Sequence, residues 1–115
     1  MTDKVQPQSL EVKSGDTLKL PITVVDSAGN PKDLTGVTAT FIIARRVRST
    51  ALITKTVGAG IVLTTPLSGV LTVTIDPVDS DDLHGTYYFE CEVTDLVGDI
   101  ATIAYGFITY QLDLI

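Results

Sequence analysis

The stretch Thr86-Tyr-Tyr-Phe-Glu-Cys-Glu-Val-Thr-Asp95 decides the fold that we predict for this chain. Its apolar residues occupy every second position: Tyr87, Phe89, Cys91 and Val93. Successive side chains of a strand point to opposite faces, so this alternation puts all of them on one side. A helix would distribute the same residues around its circumference. The stretch therefore predicts a strand with one buried face.

The same period of two recurs along the chain and indicates the fold class. Clusters of Gly, Pro, Asn, Asp and Ser separate the alternating segments, as turns do. The sequence is rich in Val, Ile and Thr, which suit a pleated surface better than a helix. Residues 77–83 suit one short helical turn. Strands are predicted at 9–13, 17–26, 37–46, 51–57, 61–65, 70–76, 86–95 and 100–112.

Local irregularities are expected at three points. Pro21 cannot donate a backbone hydrogen bond, so its strand lies at a sheet edge or carries a bulge. Val57-Gly-Ala-Gly60 is expected to form a hairpin tip. The alternation changes phase around Gly106, where we expect a bulge.

Size, charge and cysteine usage limit the classes of function. The chain has 115 residues and a net charge of −6, and residues 1–115 are predicted to form one domain. An acidic chain repels phosphate backbones, so no nucleic-acid partner is expected. Cys91 is the only cysteine, which excludes an intramolecular disulfide. Without a signal-peptide core or a membrane-length apolar run, we expect synthesis in the cytoplasm and no membrane partner.

The segment Asp82-Leu-His-Gly85-Thr-Tyr87 precedes the strongest strand. A Tyr two residues after Gly, at the start of a late strand, resembles the tyrosine corner of immunoglobulin-like sandwiches. A buried phenol needs a partner for its hydroxyl, and a chain corner offers unpaired backbone groups. The alternative is that Tyr87 is simply a core aromatic. With Gly85 and Tyr87 as the structural corner, we predict an all-β, immunoglobulin-like antiparallel β-sandwich of seven to nine strands.

The order of the turn and strand motifs resembles a family of phage tail and baseplate domains, such as the N-terminal domain of the upper baseplate proteins of lactococcal-type phages. The resemblance covers nearly the whole chain and implies a non-enzymatic bacteriophage virion component of the tail, baseplate or capsid decoration. It implies other virion proteins as partners, self-association, and assembly in the host cytoplasm. The matching motifs are Ser14-Gly-Asp16, Asp26-Ser-Ala-Gly29, Asp33-Leu-Thr-Gly36, Ser68-Gly-Val70, Leu71-Thr-Val-Thr-Ile75, Leu83-His-Gly-Thr-Tyr-Tyr-Phe-Glu90, Val93-Thr-Asp95, Gly98 and Gly106-Phe-Ile108.

Arg45, Arg46 and Arg48 are the only arginines of the chain, and they end the third predicted strand. Arginine suits bidentate contacts with carboxylates and is enriched at interfaces, so these residues are candidates for docking an acidic partner. The alternative is a solvated strand end that prevents pairing with other sheet edges. A second functional hypothesis is carbohydrate binding through exposed Tyr88, Tyr105 or Tyr110, although the absence of Trp weighs against it.

The acidic segment between Asp76 and Asp82 offers oxygen ligands of the kind that calcium prefers. It lacks the glycine and the terminal Glu of an EF-hand loop, so the competing interpretation is a helical turn capped by its Asp side chains. His84, the only histidine, has no nucleophile motif around it. Cys91 alternates with core residues, where a thiol is inert. We therefore predict no enzymatic activity, no resident metal and no cofactor.

The apolar C-terminal run, residues 107–115, has two interpretations. It completes the sheet of its own chain, or it adds as a strand to a neighbouring copy.

Overall fold

Eight strands follow one another along residues 7–112, the part of the chain that the computed structural model describes. A 3-10 turn, Pro66–Ser68, and a short helix α1, Pro77–Ser80, interrupt them. The predicted all-β sandwich of seven to nine strands is confirmed. The strands are β1 (Gln8–Lys13), β2 (Leu18–Thr23), β3 (Thr38–Ala44), β4 (Ala51–Val57), β5 (Gly60–Thr65), β6 (Val70–Ile75), β7 (Gly85–Thr94) and β8 (Ile100–Gln111).

The strands are joined in the order β1-β8-β7-β3-β4-β5-β6-β2. Most neighbours are antiparallel, whereas β1 runs parallel to β8 and β4 runs parallel to β5. The junction between β4 and β5 consists of only two residue pairs, Thr56 with Gly60 and Val57 with Ile61. The sheet folds over at this weak junction, because the buried side chains of β3, β7 and β8 share one core with those of β2, β5 and β6. The layer β1-β8-β7-β3-β4 therefore faces the layer β5-β6-β2.

The turn between β4 and β5 is not the hairpin that Val57-Gly-Ala-Gly60 predicted. Thr56 and Ala59 exchange backbone hydrogen bonds of 3.2 and 2.8 Å, and the Gly58 N–H donates to the Ile61 carbonyl at 3.0 Å. These bonds close a tight coil, after which the chain continues in its former direction. The strand therefore passes from one layer to the other.

The core lies between the two layers and follows the predicted alternation. Tyr87, Phe89, Cys91 and Val93 are all buried, with exposures of 5, 1, 0 and 2 %. Phe89 stacks on Phe41 of β3 with ring centroids 5.9 Å apart. The facing layer contributes the fully buried Leu71, Val73 and Ile75. Burial of side chains of this size stabilises the fold by about 1.5–3 kcal/mol each.

The bulge expected around Gly106 lies at Ile103 instead. The register shifts between the pairs Cys91–Ala104 and Glu92–Thr102, which leaves Ile103 as the extra residue. Gly106 pairs with Gln8 of β1, and a Cβ atom at Gly106 would lie 2.0 Å from the Gln8 carbonyl oxygen. The glycine is needed there because the backbone of β1 approaches it closely.

Pro21 lies in β2, which is the last strand in the sheet order and therefore an edge strand. It is paired with Thr72 of β6 without a shift of register. The missing N–H of Pro21 allowed an edge strand or a bulge, and the structure has the edge strand.

The connecting loops collect at two opposite ends of the molecule. β3 starts with Thr38 opposite Thr94 and ends with Ala44 opposite Tyr88. The arginine loop, residues 45–50, and the corner connection, residues 76–84, therefore share one end. The hairpin turn 95–99 and the β2–β3 connection lie at the other end. Since β7 has 10 residues, it separates the two ends by about 33 Å.

Candidate interaction surfaces

The arginines lie in the arginine loop and do not end a strand as predicted, because β3 stops at Ala44. Ser49 shapes this loop: its hydroxyl accepts the Arg46 N–H at 3.1 Å and donates to the Arg46 carbonyl at 2.8 Å. Arg48 has a φ of 69° and is the non-glycine residue with left-handed backbone in residues 7–112. Such a conformation costs an L-residue about 1–2 kcal/mol.

All three arginine side chains are exposed. In the described part of the chain, no carboxylate lies within ion-pairing distance of Arg45, Arg46 or Arg48. Val47, between them, is 53 % exposed. The loop therefore presents three positive charges and one apolar side chain to the surroundings.

The corner connection, by contrast, uses its polar groups internally. The Tyr87 hydroxyl donates to the His84 carbonyl and accepts the His84 N–H, both at 3.0 Å. Gly85, between them, has a φ of 104°, which glycine adopts without strain. The hydroxyl ties the start of β7 to the residue that precedes Gly85, which is the geometry of a tyrosine corner.

Two buried serines attach the corner connection to the turn after β1. The Ser80 hydroxyl accepts the Gly15 N–H at 3.0 Å, and the Ser14 hydroxyl donates to the Leu83 carbonyl. Ser80 is fully buried and His84 is exposed. The two side chains do not form a nucleophile and base.

The acidic segment stabilises a helical turn. The Asp79 carboxylate accepts the Asp76 N–H at 2.9 Å and pairs with the Lys55 ammonium at 2.7 Å. Burial by itself would raise the pKa of Asp79, but the hydrogen bonds from Lys55 and Asp76 outweigh it and lower the pKa. Within residues 7–112, no three His, Cys, Asp or Glu side chains lie close enough together to hold a metal ion. The capping interpretation agrees with this geometry.

Cys91 is fully buried on the inner face of β7. Burial, more than any other influence, raises the pKa of its thiol to about 12. Since the thiolate is the reactive form, the side chain is inert at neutral pH.

An aromatic face lies on the outer side of β7 and β8 and consists of Tyr88, Tyr105, Phe107 and Glu90. The rings of Tyr88 and Phe107 meet edge to face at 6.0 Å, and Phe107 is 51 % exposed. The Tyr88 hydroxyl donates to Glu90 at 2.8 Å. Burial and the Glu90 carboxylate raise the pKa of Tyr88 to about 12. This face combines aromatic surface with a fixed carboxylate.

Tyr110 does not belong to the aromatic face, and its predicted exposure was wrong. It is 2 % exposed and meets the buried Tyr87 edge to face at 6.2 Å. Its hydroxyl has no hydrogen-bond partner within residues 7–112, and burial, followed by the charge of Asp79, raises its pKa to about 12. Tyr105 and Tyr110 are an odd number of residues apart, so a regular strand places them on opposite faces.

The C-terminal strand completes the sheet of its own chain. β8 lies between β7 and β1, and the Gln111 carbonyl accepts the Ser14 N–H at 2.8 Å. The strand-donation alternative is thus not needed for residues up to Gln111. Residues 113–115 of the predicted run lie outside the described residues.

The hairpin turn 95–99, between the predicted strands 86–95 and 100–112, presents an exposed apolar surface. Leu96 and Val97 are 78 and 82 % exposed. The Asp95 carboxylate holds the turn by accepting the N–H groups of Val97 and Asp99 at 3.0 and 2.9 Å. The available signal was an apolar pair, Leu96 and Val97, between two aspartates in the segment that joins two predicted strands.

No protein-family model and no curated protein sequence match this chain. Within residues 7–112, no helix has the length and apolar character that crossing a bilayer requires.

Proposed function

We propose that this chain is a non-enzymatic structural and interaction module of a bacteriophage virion, in its tail, baseplate or capsid decoration. Its partners are other virion proteins and further copies of itself, and it is made in the host cytoplasm. The resemblance of its motifs to phage baseplate domains supports the virion assignment. The role as an interaction module rests on a separate observation.

That observation is the arginine loop. Exposed arginines that lack a partner in their own chain contribute little to its stability. Arginine nevertheless forms strong bidentate contacts with carboxylates and is enriched among the residues that dominate binding energy. A rigid sandwich that holds three free guanidinium groups in one short loop is therefore suited to bind an acidic protein surface.

Immunogold labelling tests the virion assignment, with an antibody to this chain applied to particles purified from the host that produces them. We expect labelling at one defined position on the particle. Particles carrying Arg45→Glu, Arg46→Glu and Arg48→Glu should lose the label, while the isolated variant keeps its melting temperature. Unlabelled wild-type particles would refute the virion assignment, and a labelled triple variant would refute docking through the loop.

The aromatic face favours carbohydrate binding as a second candidate function. Tyr88, Tyr105 and Phe107 share one outer surface beside Glu90, and the aromatic faces and carboxylate of such a group can contact the C–H and O–H groups of a sugar. A glycan array tests this candidate. Reproducible binding that is lost in Phe107→Ser would support it, and no binding to any glycan would leave the interaction module as the proposal.

A further inference from the structure

The hairpin end carries an apolar tip with an acidic border. Leu96 and Val97 lie at the top of the turn, and Leu96 packs over Gly36, whose added Cβ would lie 3.1 Å from the Leu96 side chain. Leu67 of the neighbouring 3-10 turn is 76 % exposed. Leu96 and Val97 together form an exposed apolar surface on a chain with a net charge of −6.

Three carboxylates, those of Asp33, Asp95 and Asp99, and one ammonium group, that of Lys32, lie around this tip. Asp95 and Asp99 flank the apolar pair in the sequence, and the Asp99 carboxylate has no partner in residues 7–112. Asp33 lies across a shallow open groove of about 210 Å³ that Leu96, Val97 and the half-buried Lys32 also line. A hydrogen bond from the Thr35 hydroxyl, followed by one from the Thr35 N–H, lowers the pKa of Asp33. The Asp33 carboxylate is therefore negatively charged at neutral pH.

The arginine loop is the counterpart of this tip. Its sequence Arg45-Arg-Val-Arg48 places an exposed apolar side chain among positive charges, whereas Asp95-Leu-Val-Gly-Asp99 places exposed apolar side chains between negative charges. Each surface offers what the other lacks: carboxylates for the guanidinium groups, and an apolar contact at the centre. Complementarity of this kind favours one orientation of docking.

A single molecule cannot bring these surfaces together, because they lie at opposite ends of the layer that contains β3 and β7. We infer that copies of this chain associate head to tail, with the arginine loop of one copy seated on the hairpin tip of the next. The inference rests on the proposed interaction function and names its partner as a second copy. Such a contact joins two different surfaces, so it generates a ring if the rotation closes and a filament if it does not.

Mixing two variants, each blocked at one end, tests this arrangement. The loop variant carries Arg45→Glu, Arg46→Glu and Arg48→Glu and keeps an intact tip. The tip variant carries Leu96→Ser and Val97→Ser and keeps an intact loop. Sedimentation velocity would be measured from ~10 μM to ~1 mM protein, at low and high salt, because salt weakens contacts between exposed charges.

We expect the average mass of the wild-type chain to rise with concentration at low salt and to fall as salt is added. Each variant alone should remain at the monomer mass of 12.3 kDa. Their mixture should form a dimer and nothing larger, because every molecule has one competent end. We expect each variant alone to associate at least about tenfold more weakly than the two variants associate with each other in the mixture.

Three outcomes would overturn the inference: a wild-type chain that stays monomeric at every concentration, a blocked variant that associates alone, or a mixture that stays monomeric. Control variants change matched residues elsewhere. Lys13→Glu with Lys19→Glu alters exposed charges on β1 and β2, and Leu52→Ser with Val62→Ser alters exposed apolar residues on β4 and β5. These controls should associate like the wild type, and equal melting temperatures would show that all variants are folded.

The two proposals fail separately. Unlabelled virions would refute the virion assignment and would not change the mixing result. A monomeric mixture together with labelled virions would refute head-to-tail association alone.

Discussion

The corner connection and the arginine loop lie at the same end of the sandwich and use their polar residues in opposite ways. In the first, the Tyr87 hydroxyl, the Ser80 hydroxyl and the Asp79 carboxylate all bind groups of the same chain. In the second, the hydrogen bonds stay local to Ser49 and Arg46, and no guanidinium group has a partner in the described part of the chain. The first connection stabilises the fold, and the second keeps its charges available for contacts outside the chain.

Tyr87→Ala should have the largest effect. It removes a buried ring and the hydroxyl that ties the corner, so we expect the free energy of unfolding to fall by about 3–5 kcal/mol. Neutralising Arg45, Arg46 and Arg48 to Gln should change it by less than about 0.5 kcal/mol. Urea denaturation of both proteins gives the two values. Equal losses would mean that the arginine loop also supports the fold, which would remove the contrast.

The Asp79 interactions should produce the next largest effect. Asp79→Ala leaves Lys55 and the Asp76 N–H without their acceptor, and hydrogen bonds to charged groups contribute about 1.5–3 kcal/mol. Because 24 % of the Asp79 side chain stays exposed, we expect a loss of about 1–2 kcal/mol at pH 7. The neighbouring exposed Asp82→Ala is the control and should cost less than about 0.5 kcal/mol.

The pH dependence of that difference follows from the pKa of Asp79. Its pKa is lower in the folded chain than in the unfolded chain, where it is about 3.9. The ionised form therefore adds stability above the unfolded value, and this stability is lost as the pH falls through the folded value. The stabilities of wild type and Asp79→Ala should therefore begin to converge as the pH falls below about 4. If the difference in free energy of unfolding stayed constant down to about pH 2, packing rather than charge would explain the loss.

How much of the fold could be predicted differs between local and distant features. Alternation is a local signal, so the inner face of β7 was predicted residue by residue. Glycine is needed at position 106 because the backbone of Gln8, from the other end of the chain, lies against it. The local sequence around Gly106 does not indicate that contact. The parallel junction of β4 and β5 likewise depends on how the two layers meet.

The interaction surfaces could also be predicted only in part, because their positions depend on contacts between distant parts of the chain. The three arginines could be located by composition, whereas their position in a loop, rather than on β3, depends on where pairing with β4 ends. Tyr88 and Tyr105 lie on the outer face, but both are half-buried and not exposed as predicted. Tyr110 was wrongly placed outside, because the bulge at Ile103 lies elsewhere than expected and obscures the phase of β8. Leu96 and Val97 were not predicted as an interaction surface, because the local sequence of a turn does not indicate which surface at the other end of the molecule would complement it.

Removing single hydroxyls sharpens the contrast between inner and outer groups. Tyr87→Phe leaves the His84 carbonyl and N–H without their partner, so we expect a loss of about 1 kcal/mol. Tyr88→Phe removes a hydroxyl of the aromatic face that binds only the half-buried Glu90, and we expect less than about 0.5 kcal/mol. Thermal melts of the two proteins provide the comparison. A larger loss for Tyr88→Phe would contradict the structural role of the corner.

Arg48→Gly should have the smallest effect, and it should stabilise the chain. Glycine adopts a φ of 69° without the steric cost that Arg48 bears, although its greater freedom in the unfolded chain offsets part of the gain. We expect the free energy of unfolding to rise by about 0.5–1 kcal/mol. The matched substitution Arg45→Gly, at a residue without left-handed backbone, should be neutral or destabilising. If Arg48→Gly is more stable yet associates less, the strained arginine is retained for binding and not for folding. If it is less stable, the arginine loop contributes to the fold, and the two connections differ less than their hydrogen bonds indicate.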